Sequence, residues 1–99
     1  MVSVDSWPFA DPLNCAVFVT QEVLERAEPI LHVTHQEDEY SWSFIGSSDG
    51  TRENCKLIAL CEAVQLDPSV LQLADLPIGW RAVRDTVESP WKREAIDEA

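Results

Sequence analysis

The sequence predicts an α+β fold in which a mainly antiparallel sheet of about four strands carries two to three helices on one face. Short β-branched or aromatic runs with period-two alternation indicate the strands, and two stretches with apolar residues at helical spacing indicate the main helices. Clusters of Pro, Gly, Asn and Asp separate these segments. The predicted order is β-α-β-β-α-α-β in a single domain over residues 1–99.

The N-terminal quarter is predicted to be an irregular arm, a strand and a short helix. Residues 1–13 lack any hydrophobic period, and Trp7 and Phe9 are expected to pin this arm onto the domain. Residues 15–20 are uncharged and rich in β-branched side chains, which is typical of a buried strand. Thr20 is a candidate N-cap for a following helix of about seven or eight residues.

A β-hairpin with an acidic tip is predicted next. Residues 30–35 form its first arm, and residues 40–45 return with aromatic and serine side chains alternating between the two faces. The tip between the arms carries Glu37, Asp38 and Glu39.

The C-terminal half is predicted to contain two helices, one strand and a tail. Apolar residues follow a helical period from residue 55 to residue 64, which predicts the main helix. Asp67 followed by Pro68 is typical of the start of a second, short helix. Residues 80–85 are predicted to form the last strand, and residues 86–99 a lightly docked or disordered tail.

Two histidines beside the acidic tip suggest a metal site, but strand geometry argues against one. Side chains three residues apart on a strand point to opposite faces, so His32 and His35 could not bind one ion. We therefore predict no metal site and no cofactor. A cleft that combines these histidines with Cys15 remains as an alternative.

No motif for catalysis or nucleotide binding is present. The sequence contains no G-x-S-x-G elbow, P-loop or G-x-G-x-x-G, and its three cysteines have no metal-binding or redox spacing. These observations predict a protein that is not an enzyme and has no catalytic residues. The N-terminus does not resemble a signal peptide and no apolar run could span a bilayer, so a cytoplasmic location is expected.

The net charge of −11 is the strongest compositional signal. Residues 1–76 carry thirteen acidic side chains against Arg26, Arg52 and Lys56, whereas residues 77–99 carry five against four cations. This charge disfavours direct binding to nucleic acid or to anionic membranes, and it would attract a basic protein. It would also serve to keep a small protein soluble.

Four tryptophans are many for a core of this size. The candidate interface patches are Trp42 near the acidic tip, and Trp80 together with Arg81 and Arg84, because tryptophan and arginine are favoured interface anchors. The alternative is that Trp42 and Trp80 pair across neighbouring strands within the core.

Three segments of the chain resemble a small bacterial α+β domain family of unknown function that is grouped with immunity proteins of polymorphic toxin systems. They are a strand leading into a threonine-led helix (residues 16–27), an Ile-Leu-x-Val-x-His turn before an aromatic strand (30–44), and Asp-Pro-Ser-Val-Leu … Leu-Ala-Asp-Leu-Pro-x-Gly-Trp-x-Ala-x-Arg (67–84). The resemblance implies an α+β fold and toxin neutralisation, and it supplies no catalytic residues. Residues 36–40 depart from the Asp-Asp-Gly that the family carries at the tip.

The sequence therefore favours a non-enzymatic, acidic interaction module that binds a basic protein such as a toxin. Glu37, Asp38, Glu39 and Trp42 are the expected contact residues, with Trp80, Arg81 and Arg84 as a second patch. One alternative is a small enzyme or ligand-binding domain with a His/Cys cleft. Another is a structural homodimer, instead of a monomer, in which the first strand or the strand at 80–85 pairs across a two-fold axis.

Overall fold

The chain forms one mixed sheet with short helices. The computed structural model describes residues 8–9, 11–36, 42–46 and 54–96. The strands are Ala16–Thr20 (β1), His32–His35 (β2), Trp42–Ile45 (β3), Cys55–Ala59 (β4), Trp80–Val83 (β5) and Lys92–Ala95 (β6). The helices are Gln21–Leu24 (α1), Leu60–Leu66 (α2) and a 3₁₀ helix, Pro68–Leu73. The α+β class is confirmed, but the predicted number of strands is wrong.

The sheet has the strand order β4-β1-β3-β2-β5-β6. β2 and β3 form the predicted antiparallel hairpin, in which His35 pairs with Trp42 and His32 with Ile45. β1 and β3 are parallel, and the other neighbouring pairs are antiparallel. The sheet is therefore mixed: β2 lies two positions from β1, and β3 lies between them, parallel to β1 and antiparallel to β2.

Helices cover one face of the sheet and form the core with it. The buried hydrophobic residues on this face and in the helices above it are Val17, Val19, Val33, Trp42, Phe44 and Ala82 from the strands and Val23, Leu60, Ala63, Val64, Val70 and Leu73 from the helices. The opposite face carries Phe18, His32, Thr34, Ser43, Ile45 and Val83, which are all partly buried. Alternation along the strands accounts for this division.

The prediction of a main helix over residues 55–64 is wrong for its first half. Residues 55–59 form β4, which pairs antiparallel with β1, and only residues 60–66 are helical. A short apolar run fits either a strand or a buried helix, and tertiary pairing with β1 decides in favour of the strand.

The first helix is shorter than predicted and lacks the predicted cap. α1 has four residues, and the Thr20 hydroxyl accepts a hydrogen bond from the Gly46 backbone N–H at 3.3 Å instead of capping the helix. The helix ends in a Schellman motif, because the Ala27 N–H donates to the Glu22 carbonyl (2.9 Å) and the Arg26 N–H to the Val23 carbonyl (3.0 Å). Thr20 thus ties the end of β1 to the end of β3.

Arg26 occupies the left-handed position of that motif, with φ of 63°. A side chain with a Cβ is strained there by about 1 kcal/mol, whereas glycine is not. We expect Arg26→Gly to raise the free energy of unfolding by up to about 1 kcal/mol, measured by urea denaturation. Arg26→Ala removes the same charge but keeps the Cβ, so it should give no such gain. Equal gains from both variants would attribute the effect to the charge.

The second predicted helix is present as a 3₁₀ helix, and its start agrees with the prediction. The Asp67 carboxylate accepts hydrogen bonds from the backbone N–H and the hydroxyl of Ser69, at 3.0 and 2.7 Å, and Pro68 occupies the first turn. Val70 and Leu73 point into the core.

The C-terminal segment differs from the tail predicted over residues 86–99. Residues 92–95 form β6, which pairs with β5, and Trp91 packs against the core. Strand β5 ends at Val83, two residues earlier than predicted. The alternation signal in 92–95 is weak because β6 lies at a sheet edge and is mostly charged.

Candidate functional site

The structure describes four of the seven residues predicted to form the binding surface, and two of these four are buried. Glu37, Asp38 and Glu39 of the acidic tip fall outside the described residues, as does Trp7 of the arm. Trp42 and Arg84 are buried, and Trp80 is 36% exposed. Arg81 points to the sheet face opposite that of Trp80 and Arg84, since it lies one residue along the strand from Trp80. Only Trp80 and Arg81 are therefore accessible among the described members of the set.

Trp42 is a core residue and not a surface anchor. Its indole N–H donates to an Asp11 carboxylate oxygen at 2.7 Å, and its ring contacts Phe9 edge-on with 5.3 Å between centroids. His35 stacks on it at 3.9 Å. His35 lies between Trp42 and Trp80 in the same row of the sheet, so the predicted cross-strand tryptophan pair is wrong. Phe9 pins the arm as predicted.

Arg84 forms the most extensive polar cluster in the described structure. Its guanidinium donates to the Ile30 carbonyl (2.9 and 3.1 Å), to the Asp67 carboxylate (2.6 Å) and to the Ser69 hydroxyl (3.1 Å). It also donates to the Val87 carbonyl at 3.4 Å and lies 4.2 Å from the centroid of Trp91. These contacts join β5 to the start of the 3₁₀ helix and to the residues before β2, which indicates a structural role.

The other arginines of β5 and β6 are also bound to carboxylates. Arg81 pairs with Glu94 across the strands at 2.9 Å, and Arg93 pairs with Asp75 at 2.7 Å while also donating to the Gln72 carbonyl at 2.6 Å. The Arg93 guanidinium lowers the pKa of the Asp75 carboxyl by hydrogen bonding and by its charge. The second predicted patch is therefore not a free cationic surface.

The two histidines point to opposite faces of the sheet, as strand geometry predicted. His35 lies on the core face, where its Nδ1–H donates to the Leu76 carbonyl at 2.6 Å. His32 pairs with Ile45 and Val83 on the other face, and its Nε2 is buried with no hydrogen-bond partner among the described residues. A cleft lined by both histidines is therefore not formed.

Cys15 is also separated from His32. It directly precedes β1, and β3 lies between β1 and β2, so neighbouring strands do not bring Cys15 and His32 together as the alternative His/Cys cleft requires. Burial, and secondarily the charge of Asp11, raise the pKa of the Cys15 thiol, which disfavours the nucleophilic thiolate.

The environment of His32 predicts a pH-dependent stability. Burial lowers the pKa of His32 from its ordinary value of 6.5, Arg81 lowers it further, and Glu94 opposes them. Between the lowered pKa and 6.5 the unfolded chain binds a proton that the folded chain does not. The contribution of His32 to stability is thus complete above pH 6.5 and is lost as the pH falls through that window.

We therefore expect the wild type to lose more stability than His32→Gln between about pH 7.5 and pH 5, measured by urea denaturation at each pH. Carboxylates are common to both proteins, so their contribution cancels in the comparison. Parallel pH profiles would contradict the assigned role of His32.

A cavity of about 370 Å³ lies between the end of α1 and the start of the 3₁₀ helix. Its walls combine apolar residues with the charged residues Arg26, Glu28 and Asp67. Asp67 is already bound to Arg84, and the lining carries charges of both signs. We assign it no ligand.

The sheet edges differ from those predicted for a homodimer. β5 is covered by β6, and β1 lies between β4 and β3, so neither predicted pairing strand is an edge. The edges are β4 and β6. They differ in composition, since β6 carries Lys92, Arg93 and Glu94 whereas β4 carries one charge, Lys56, next to Leu57, which is 49% exposed.

Carboxylates lie at both ends of β4. Glu22 in α1 accepts a hydrogen bond from the Asn54 amide at 2.8 Å, which places it beside the first residue of the strand. Glu25 follows one turn later and accepts from Gln21 at 2.9 Å. At the other end the Glu62 carboxylate accepts from the Ala59 backbone N–H at 2.9 Å. Sequence reasoning missed this arrangement, because it assigned β4 to a helix.

No similarity to a known protein indicates a function for this chain. The chain matches no family model, no curated protein and no solved structure. Within the described ranges, no group of three or more His, Cys, Asp or Glu side chains could hold a metal ion. None of the described helices is long and apolar enough to cross a membrane.

Proposed function

We propose that this protein is a non-enzymatic interaction module that binds a basic protein through its negatively charged surface. Eighteen acidic residues against seven cationic ones leave a net charge of −11. A field of this sign accelerates encounter with a cationic surface and repels phosphate backbones and anionic lipid. The partner is therefore a basic protein, and not a nucleic acid or a membrane.

The observation that carries the proposal is the internal pairing of the arginines. Arg81, Arg84 and Arg93 are each bound to a carboxylate of the same chain, which leaves Lys92 as the one cation of this region without a carboxylate partner among the described residues. Carboxylates such as Glu25, Asp85 and Glu88 remain exposed. The excess negative charge is thus available to a partner at the surface.

The proposal has a narrower form, in which the partner is a basic toxin that the protein neutralises in the cytoplasm. The resemblance to immunity-associated domains supports this form, and a toxin that cleaves nucleic acid would itself carry the required basic surface. A toxin gene adjacent to the gene for this protein is the expected genomic arrangement.

Affinity capture at two salt concentrations tests the proposal. The immobilised full chain should retain an identifiable basic protein from a lysate of its native host at about 50 mM salt and release it at about 500 mM. The purified partner should then bind the chain with the same salt dependence. No basic partner, or binding insensitive to salt, would contradict the proposal.

A series of variants with graded net charge separates the effect of charge from the effect of any single side chain. Replacing Glu25, Asp85 and Glu88 with their amides changes the net charge from −11 to −8, and replacing them with lysine changes it to −5, since each lysine adds two positive units. The association rate with the purified partner should fall in that order. An unchanged rate across the series would remove charge as the basis of recognition.

A further inference from the structure

We propose that the outer edge of β4 is the docking site of this partner, and that an extended basic segment binds there as an additional strand. The inference takes the basic character of the partner from the proposed function. It adds the surface, the mode of binding and the conformation that the partner adopts.

The alternation of hydrogen-bonded pairs between β1 and β4 shows which backbone groups of β4 face outward. The Leu60 N–H donates to the Cys15 carbonyl at 2.8 Å, and hydrogen-bonded pairs then recur at every second residue of the antiparallel β1–β4 ladder. The N–H and C=O of Lys56 and Ile58 thus point to β1, whereas those of Leu57 point away from the sheet. Within the described part of the chain, no strand pairs with this side of β4.

The composition of β4 leaves this edge open. Natural proteins protect edge strands with charges, prolines or bulges, and β6 follows that rule with Lys92, Arg93 and Glu94. β4 carries one charge, Lys56, whose exposed side chain points to the sheet face opposite that of Leu57. Its central residue is the exposed Leu57, and the partly buried Phe18 lies next to it on the same face. The Ala59 N–H is already bound by Glu62, so an incoming strand would find the outward N–H and C=O of Leu57 and an apolar contact at its side chain.

The charges around β4 define the occupant. Glu22 lies at the N-terminal end of the strand, Glu25 follows it about one turn later in the chain, and Glu62 lies at the C-terminal end of the strand. Lys56 lies between these ends, with its side chain on the sheet face opposite that of Leu57. Five residues of strand span about 14 Å, so Lys or Arg residues at both ends of a segment of about seven residues would reach these carboxylates. The expected ligand is an extended segment with alternating β-branched residues and a basic residue at each end.

A second copy of this chain fits the edge less well. Each copy carries a charge of −11, and pairing β4 with β4 would bring the two sets of glutamates together. Like charges at that distance oppose association. A basic segment is attracted by the same groups that repel a second copy.

The first test uses a labelled heptapeptide, acetyl-Lys-Thr-Val-Thr-Val-Thr-Lys-amide, and fluorescence anisotropy at low salt. Leu57→Pro removes an outward N–H without removing a hydrogen bond to β1, so the fold should be retained. Binding should weaken about tenfold or more in this variant. Leu57→Thr keeps the N–H and should weaken binding only about threefold, which separates the backbone contact from the side-chain contact. Circular dichroism checks that both variants are folded.

Two matched comparisons test the mode of binding. N-methylation of one set of alternate peptide amides should abolish binding, and methylation of the other set should have little effect, because only one set faces β4. Glu25→Gln with Glu62→Gln should weaken binding more than Asp85→Asn with Glu88→Gln, although both pairs change the net charge from −11 to −9.

The outcomes distinguish this inference from the proposed function. Equal binding by wild type and a folded Leu57→Pro variant, or indifference to which amides are methylated, overturns the β4 site while leaving the binding of a basic partner intact. A dimer of the free chain in sedimentation that Leu57→Pro disrupts also overturns it, since the occupant would then be a second copy. If neither the peptide nor any basic protein binds the full chain, the proposed function fails as well.

Discussion

Replacing Arg84 with alanine is expected to lower the free energy of unfolding by about 3–5 kcal/mol. The Arg84 side chain is only 3% exposed, and its removal takes the counter-charge from Asp67, whose Oδ2 loses its donor, and also takes the donor from the Ile30 carbonyl. A buried charge that loses its partner costs much more than the pair contributes when intact. Urea denaturation followed by tryptophan fluorescence measures the loss.

Arg81→Ala is the matched control for this prediction. Arg81 lies in β5, three residues before Arg84, and also pairs with a carboxylate, but its side chain is 41% exposed. Solvent screens such a pair, so the loss should stay below about 1 kcal/mol. Arg84→Lys should fall between the two, because an ammonium keeps the charge but cannot reach all four acceptors in one plane. Equal losses for Arg84→Ala and Arg81→Ala would refute the structural role of Arg84.

Trp42→Ala is expected to lower the free energy of unfolding by as much as Arg84→Ala, about 3–5 kcal/mol. Trp42 is 1% exposed, and the change removes the ring contacts with Phe9 and His35 and the donor to Asp11. Trp42→Phe keeps an aromatic ring but not the indole N–H, so it should cost less. Circular dichroism during urea denaturation is the suitable measurement, because the substitution removes a fluorescent probe.

Trp80→Ala provides the comparison for Trp42. Trp80 lies in the same row of the sheet but is 36% exposed, so its truncation should cost about 1 kcal/mol or less. A loss from Trp80→Ala that equals or exceeds that from Trp42→Ala would show that Trp42 is not the aromatic centre of the core. It would also restore Trp42 as a candidate for a surface contact.

Local patterns predicted the elements whose signals lie within a few residues. The hairpin of β2 and β3 followed from alternation, and the separation of His32 from His35 followed from the same period of two. The start of the 3₁₀ helix followed from the Asp67–Pro68 pair, which satisfies the free amides of a helix end. Backbone geometry within a few residues determines these features, so contacts with distant segments do not change them.

Non-local pairing accounts for most of the errors. Residues 55–64 have an apolar pattern that fits a helix, but residues 55–59 complete the sheet beside β1. The charged strand β6 has little local strand signal and forms because β5 offers an unpaired edge to it. Both strands depend on partners distant in sequence, which no short window of residues contains.

For the candidate binding surface, too, some properties follow from the sequence alone and others only from the tertiary structure. The sequence alone determined the net charge of −11, because charge depends only on composition, and the proposal of a basic partner follows from that charge. Tertiary structure decided which residues are accessible at the surface. It buried Trp42 and Arg84, and it placed Leu57 at an open sheet edge between glutamates from α1 and α2. Exposure and strand order arise from contacts between distant segments, so they appear only once the sheet is assembled.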